Sequence, residues 1–355
     1  MYYVNPHIER VHRIFDQNLR SGYLRLDLNE NPDPLPEQLV KSILDDISPD
    51  FVSQYPETSK FQNVLADYLE TSPENICLTN GSSEAIRYVI EGFTSVNGKI
   101  VSVTPSYFMF QIYAEMYDRN IVQIEYNNDM TMDIRNIINE LDDNTQLLIL
   151  VNPNNPVGNT YTIEEFETLL EVARRKQITV LIDEAYFYFY PVSFMKYALE
   201  HDHIFVTRTF SKLFAMAGCR LGYVAGWKEG IKIVQKLCTP HNVNGFALKF
   251  AQKLINSPEI VDSMIAKFNE GRQYLISQLD SNAYEHLGEA GNFIFVKPKK
   301  DADLIVDVMK KDYKILIKSY NGIGSMGKCL RVTIGGKEHM DRFIKSLVAI
   351  DNELK

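Results

Sequence analysis

Gln146-Leu-Leu-Ile-Leu-Val151 is a continuous apolar strand after its first residue, Ile178-Thr-Val-Leu-Ile182 is again a buried strand, and between them residues 162–176 carry helical spacing with an acidic start. The first run halts at Asn152-Pro153 and the second ends at Asp183. A strand that is apolar at every position is buried on both faces, which is the habit of a parallel sheet covered by helices. An acidic first turn complements a helix N-terminus, so residues 162–176 read as the crossover between the two strands.

Working outward, the same grammar repeats. Ile76-Cys-Leu-Thr79 runs into Gly81-Ser-Ser-Glu-Ala-Ile86, a strand feeding a helix start. Lys99-Ile-Val-Ser-Val-Thr104 is stopped by Pro105, and Asn120-Ile-Val-Gln-Ile-Glu125 follows. His203-Ile-Phe-Val-Thr207 and Leu221-Gly-Tyr-Val-Ala225 extend the series. Past residue 245 come two helical stretches, 246–255 and 260–279. Short strands then follow at Phe293-Ile-Phe-Val296, at 313–317 and at Leu330-Arg-Val-Thr-Ile334. The expected architecture is α/β, with a large domain over 46–245. A smaller α+β domain over 246–355 is completed by an N-terminal arm over 1–45.

Bulk properties remove several function classes. The net charge is −9, and no Lys/Arg cluster is long enough to grip nucleic acid. Four widely spaced cysteines, with no Cys-x-x-Cys, point to a reducing compartment and away from a disulfide frame or zinc ribbon. The N-terminal stretch has no apolar signal core, and no apolar run approaches the roughly twenty residues a membrane span requires. A cytoplasmic protein is expected, with no nucleic-acid or membrane partner.

The chemistry concentrates where such sheets hold ligands, at the carboxyl ends of strands. Asn155, Asp183 and Lys212 each fall at or just after such an end. Thr209-Phe-Ser-Lys212, with Arg220 eight positions on, sets two hydroxyls, an amine and a guanidinium close together. A phosphorylated aldehyde cofactor needs that set, the amine for a Schiff base and the rest for the phosphate. Gly81-Ser82-Ser83 opens a helix, so its free N–H groups face an anion; simple N-capping by the serines coexists with that reading. Asp183 could instead cap a helix at Glu184-Ala185. Arg331, alternating with Leu330 and Val332, is either a solvated edge or a carboxylate clamp. Gly322-Ile-Gly-Ser-Met-Gly327 matches G-x-G-x-x-G literally, but a strand rather than a helix follows, so it is a loop near the substrate. His201-Asp-His203 lacks a third ligand, and no metal is expected.

Five motifs occur in order: Asn152-Pro-Asn-Asn-Pro-Val-Gly158, Asp183-Glu-Ala-Tyr186, Thr209-Phe-Ser-Lys212, Ala217-Gly-Cys-Arg-Leu-Gly-Tyr223 and Leu330-Arg-Val-Thr-Ile-Gly335. With Asn29-Glu-Asn-Pro32, they make nearly the whole chain resemble fold-type I, pyridoxal-phosphate-dependent aminotransferases of class I/II. The nearest branch is the histidinol-phosphate aminotransferase-like group. The resemblance implies a mainly parallel seven-stranded sheet flanked by helices and pyridoxal 5'-phosphate as cofactor. It makes Lys212 the Schiff-base lysine and proton carrier, and Asp183 the partner of the pyridinium nitrogen. Tyr186 and Asn155 become ligands of the phenolic oxygen. Ser82, Ser83, Thr209, Ser211 and Arg220 hold the phosphate. Tyr107 stacks on the ring, although a core tyrosine fits the sequence nearly as well among 20 tyrosines. Tyr55, in Gln54-Tyr-Pro56, reaches the phosphate from a partner subunit, which implies a homodimer with shared sites. Arg331 clamps an α-carboxylate, with Asn29 and Lys318 also on the substrate side.

Departures from the branch bear on substrate. Asn5-Pro-His7 stands where the branch carries a Leu-x-Pro-Tyr element, and Lys318 stands where it carries an arginine for the substrate phosphate. The glycine expected after Asn31-Pro32 is Asp33, and a threonine is replaced by Val157. The expected reaction moves an amino group from a glutamate-like donor to a small phosphorylated ketone or aldehyde. Either the histidinol-phosphate/imidazole-acetol-phosphate pair or the dihydroxyacetone-phosphate/serinol-phosphate pair satisfies that description. Decarboxylation of phosphoserine or phosphothreonine is the alternative. A cofactor-binding regulator without catalysis is disfavoured by the presence of Lys212.

Overall fold

The structure is a computed structural model and describes residues 2–12, 20–288 and 290–353. Residues 1 and 13–19 of the N-terminal arm expected over 1–45 lie outside the described residues.

Seven strands form the central sheet: β1 (Ile76–Thr79), β2 (Lys99–Thr104), β3 (Asn120–Glu125), β4 (Thr145–Val151), β5 (Thr179–Asp183), β6 (Ile204–Thr209) and β7 (Gly222–Gly226). Their spatial order is β1-β7-β6-β5-β4-β2-β3. β7 is antiparallel to both β1 and β6, and every other pairing is parallel. Six strands therefore share one direction, as the apolar runs at 146–151 and 178–182 require. The link from β6 to β7, residues 210–221, carries a single 3-10 turn and no crossover helix, and β7 returns antiparallel beside β6. Helix Ile163–Arg175 bridges β4 and β5 and starts with a capping box: Thr162 accepts from Glu165 N–H, and Glu165 returns a bond to Thr162 N–H. It buries Phe166, Leu169, Leu170 and Ala173 against the sheet.

A second sheet runs Lys318–Tyr320, Cys329–Thr333, Phe293–Val296, His286–Leu287, antiparallel throughout. Helices Pro258–Ser281 and Lys337–Glu353 pack beside it. The N-terminal segment completes this unit, because Leu24–Arg25 pairs in parallel with Ile315–Leu316. Leu24 and Leu26 join its core with Phe268, Leu330 and Phe343. The single strand expected over 313–317 is split. Lys314 adopts a left-handed backbone (φ +57°), and the chain then feeds two different sheets, through Ile315–Leu316 and Lys318–Tyr320. The glycine hexad is a hairpin turn between two strands.

Two further helices belong to the core beneath the seven-stranded sheet. Glu37–Asp45 buries Leu39 and Ile43, and Gly245–Ile255 buries Ala247, Leu248 and Leu254, in the core of the large unit. Helix Gly245–Ile255 packs on both Glu37–Asp45 and helix Thr58–Tyr68, whose Phe61 and Leu65 belong to the same core, a tertiary pairing that hydropathy spacing does not specify. Among the described residues no helix is long and apolar enough to cross a membrane.

Candidate active site

The carboxyl ends of β2, β4, β5 and β6 open on a cavity of about 400 Å³, closed from above by residues 28–29 and by the small unit's strands. Thirteen of the sequence-nominated residues line it: Asn29, Ser82, Ser83, Tyr107, Asn155, Asp183, Tyr186, Thr209, Ser211, Lys212, Arg220, Lys318 and Arg331. Tyr55 does not. It is 78% exposed and stacks on His241 at 4.3 Å, in a separate groove beside helix Thr58–Tyr68.

One end of the cavity is built to hold an anion. Helix Ser82–Phe93 starts at Gly81 without a side-chain cap, so its first N–H groups are free to face a ligand. Gly81 has φ +80°, and a Cβ there would lie 2.6 Å from Arg220 Nη2. Gly222 is as tightly placed, because its Cβ would meet Ser82 N at 2.5 Å. These two absent side chains let the guanidinium and β7 close on the helix start. Arg220 Nη1 donates to Ser211 Oγ (3.3 Å), and Thr209 Oγ1 accepts from Ser211 N–H (3.1 Å).

The other end is polar in a different way. Asp183 ends β5, and its Oδ1 accepts from Ala185 N–H (3.1 Å) and Thr207 Oγ1 (3.2 Å). Burial nevertheless pushes its carboxyl up to about 6. A carboxylate left at a buried strand end with only neutral donors is suited to a cationic partner. Lys212 Nζ donates to Leu28 O at 3.3 Å. Burial, with Arg331 nearby, pushes its ammonium down to about 8 against the pull of Glu30 and Asp183. An amine near neutrality serves as nucleophile and as proton carrier. Tyr186 Oη accepts from Asn29 Nδ2 (2.8 Å), and burial drives its phenol upward. Ser83 Oγ and Tyr107 Oη are 2.8 Å apart.

Arg331 is buried, so the solvated-edge alternative falls. Its Nη2 donates to Asp27 O (2.6 Å) and its Nη1 to Asn155 Oδ1 (3.1 Å), while its Nε is buried without a partner. Lys318 lies directly opposite Arg331 in the antiparallel register. Tyr320, which the sequence reading passed over, lines the same wall with the Arg331 guanidinium 5.1 Å from its ring. Strand alternation from Lys318 would have found it, since i and i+2 share a face. Leu28 contributes through a backbone carbonyl and leaves no side-chain signal. Also unread was the buried Glu184–Arg208 ion pair (2.7 Å), which anchors the segment after Asp183 through Ser193 and Phe194 N–H. Glu184 and Asp183 are adjacent and point to opposite sides of the chain, one to structure and one to the cavity.

The family model for aminotransferase class I and II matches residues 21–347. The histidinol-phosphate aminotransferase of Caldanaerobacter subterraneus subsp. tengcongensis is 28% identical over 327 residues, 91% of this chain and 92% of that protein. The structure of histidinol-phosphate aminotransferase from Sinorhizobium meliloti in complex with pyridoxal-5'-phosphate superposes with a TM-score of 0.88 at 20% identity, covering 100% of this chain and 99% of that one. That of L-threonine-O-3-phosphate decarboxylase from Porphyromonas gingivalis gives 0.79 at 22%, covering 93% and 100%. At those identities the two structures speak for the fold alone. With the family model spanning nearly the whole chain and this cavity at its sheet edge, the protein belongs to the aminotransferase class I and II family.

Proposed function

We propose that the protein is a pyridoxal 5'-phosphate-dependent aminotransferase. It takes an amino group from a glutamate-like donor and delivers it to a small phosphorylated ketone or aldehyde of the histidinol-phosphate/imidazole-acetol-phosphate type. One observation carries the reading. A depressed amine (Lys212), a buried carboxylate (Asp183) and a capless helix start with Arg220 converge on a single cavity facing Arg331.

The residues fit that cofactor. When bound, it supplies an aldehyde carbon for the amine and a ring that accepts electrons. Ser82, Ser83, Thr209, Ser211, Arg220 and the helix N–H groups hold its phosphate. Asp183 would hold a proton on the ring nitrogen, for which a carboxylate buried at the end of β5 is poised. Tyr186, Asn155 and Tyr107, which line the cavity, would hold the ring, the first two through its oxygen. Lys212 Nζ accepts and returns the proton at the reacting carbon. Arg331, which lines the cavity, takes the α-carboxylate through its guanidinium fork. Lys318, across the register, takes the distal anionic group as a point charge. Tyr55, exposed on its own subunit, serves the phosphate of a partner's site in a homodimer. Four free cysteines suit a reducing, cytoplasmic setting.

The test is a half-reaction. Yellow, cofactor-loaded protein is mixed with L-glutamate alone, and the cofactor is identified by mass spectrometry. Conversion to pyridoxamine phosphate supports transamination. No conversion with any common donor, together with carbon dioxide release from phosphoserine or phosphothreonine, would select the decarboxylase reading. A protein that binds no pyridoxal phosphate would overturn both.

A further inference from the structure

Asn29 lies in the cavity wall but has nothing left to offer a ligand. It is 1% exposed, its backbone is left-handed (φ +57°), and each of its polar atoms is engaged. Its N–H donates to Thr333 Oγ1 (3.1 Å), and its carbonyl accepts from Asn292 Nδ2 (3.1 Å). Its Nδ2 donates to Tyr186 Oη (2.8 Å) and to Asn155 Oδ1 (3.4 Å), and its Oδ1 accepts from Thr333 Oγ1 (3.3 Å).

The direction of these bonds is set by Arg331, whose guanidinium can only donate. The Asn155 atom facing it is therefore Oδ1, and the Asn29 atom beside that oxygen must be the donor Nδ2, which leaves Asn29 Oδ1 to accept the Thr333 proton. That turns the Asn29 amide so that Nδ2 faces Tyr186. The Tyr186 oxygen then accepts, which leaves its own proton free for the cavity it lines. Asn155 is turned by the same hand. Its Oδ1 accepts from Asn29 Nδ2 and Arg331 Nη1, so its own amino group is directed the other way, towards the cavity.

We infer that Asn29 is a positioning residue rather than a substrate ligand: by donating to Tyr186 and Asn155 together, it turns both into hydrogen-bond donors aimed into the cavity. The acceptor of those bonds, the cofactor's ring oxygen, rests on the aminotransferase reading; the polarity of the relay belongs to the chain itself. Thr333 and Asn292 stand in the small unit, and Tyr186 and Asn155 in the large one. Correct polarity therefore depends on the two units being docked.

The experiment titrates the visible absorbance of the cofactor-loaded protein against pH in wild type, Asn29→Gly, Asn29→Asp and Thr333→Val. Glycine is the clean deletion, because it tolerates the left-handed backbone that alanine resists. Aspartate keeps the shape but only accepts, so Tyr186 must turn its proton away from the cavity. The other charged and titratable groups facing Tyr186, namely Asp183, Arg331, Tyr107 and Lys212, are unchanged in all three variants. Donors to an anionic ring oxygen favour its deprotonated form, so losing them should raise the midpoint by about one pH unit in both Asn29 variants. Thr333→Val should shift it the same way by less. An unchanged midpoint in variants that keep full cofactor occupancy and cooperative unfolding overturns the relay, since a merely structural Asn29 would move only stability.

A second readout needs no cofactor and no variant. Neutron diffraction from the cofactor-free protein should find the Tyr186 deuterium pointing into the cavity; a deuterium directed at Asn29 would overturn the inference. Failure of wild type to bind pyridoxal phosphate would count against the aminotransferase reading instead, and the neutron map would still decide the relay.

Discussion

Replacing Arg331 with lysine separates a carboxylate clamp from a structural arginine. Of five N–H donors, Arg331 spends one on Asp27 O and one on Asn155 Oδ1, and its buried Nε–H has no partner. A carboxylate arriving in the cavity would take two of the guanidinium N–H groups not committed to Asp27 and Asn155 as a fork. Each charge-assisted bond contributes about 1.5–3 kcal/mol. Lysine keeps one as a point charge and loses the other, so kcat/KM for L-glutamate should fall roughly 10- to 150-fold. Arg331→Ala loses both, for a fall of about 10²- to 10⁴-fold. The assay is single-turnover absorbance of the loaded protein with L-glutamate, beside a primary amine that lacks a carboxylate. The amine should react at nearly the wild-type rate in Arg331→Lys. Equal losses on both amines would refute the clamp, because they would trace to displaced Asp27 and Asn155 rather than to a missing fork. No loss on glutamate, in a variant that stays folded, would refute it outright.

Three further outcomes follow from the same geometry. Lys212→Met should raise the melting temperature of the cofactor-free protein at pH 7, relieving up to about 3 kcal/mol for a group lowered from 10.5 to about 8. Because only the unfolded chain stays protonated between those values, wild-type stability rises across that window and the gap should close; a pH-independent gap in scanning fluorimetry would contradict it. Asp183→Asn should stabilise the cofactor-free protein above pH 6 and leave it unchanged below 3.8, since the folded carboxyl is raised to about 6 and its destabilisation grows as pH climbs between the two. Turnover should fall by roughly tenfold or more with the loss of one charge-assisted bond, and a variant with full turnover would remove Asp183 from the mechanism. Gly81→Ala should weaken pyridoxal phosphate binding by roughly tenfold in a spectrophotometric titration, because φ +80° strains alanine and its methyl displaces Arg220 Nη2; unchanged affinity would mean that the cup does not depend on that approach.

Much of the fold was legible because buried parallel strands leave an unmistakable trace. The runs at 146–151 and 178–182 admit little but strands, and Thr162 with Glu165 marks the helix start between them. The antiparallel turn of β7 left none, since Gly222–Gly226 is as apolar as its parallel neighbours. Strand direction resides in the connection, not in the strand. Helices Glu37–Asp45 and Gly245–Ile255 show the same limit, because an apolar stripe states that a face is buried and not against which core.

The sequence by itself determined the chemical inventory: an amine behind two hydroxyls, a carboxylate at a strand end, an arginine among apolar residues, a helix start rich in glycine and serine. These are local facts, written in residue type and spacing. Only the tertiary structure decided what each group meets. It lowered Lys212 and raised Asp183 by burying them, brought Lys318 opposite Arg331 through strand register, and left Tyr55 outside its own chain's cavity. It also turned Asn29 inward on Thr333, 304 residues away, and so gave Tyr186 its direction. Ionisation, register and hydrogen-bond polarity arise from neighbours in space, and neighbours far apart in the chain are chosen by packing.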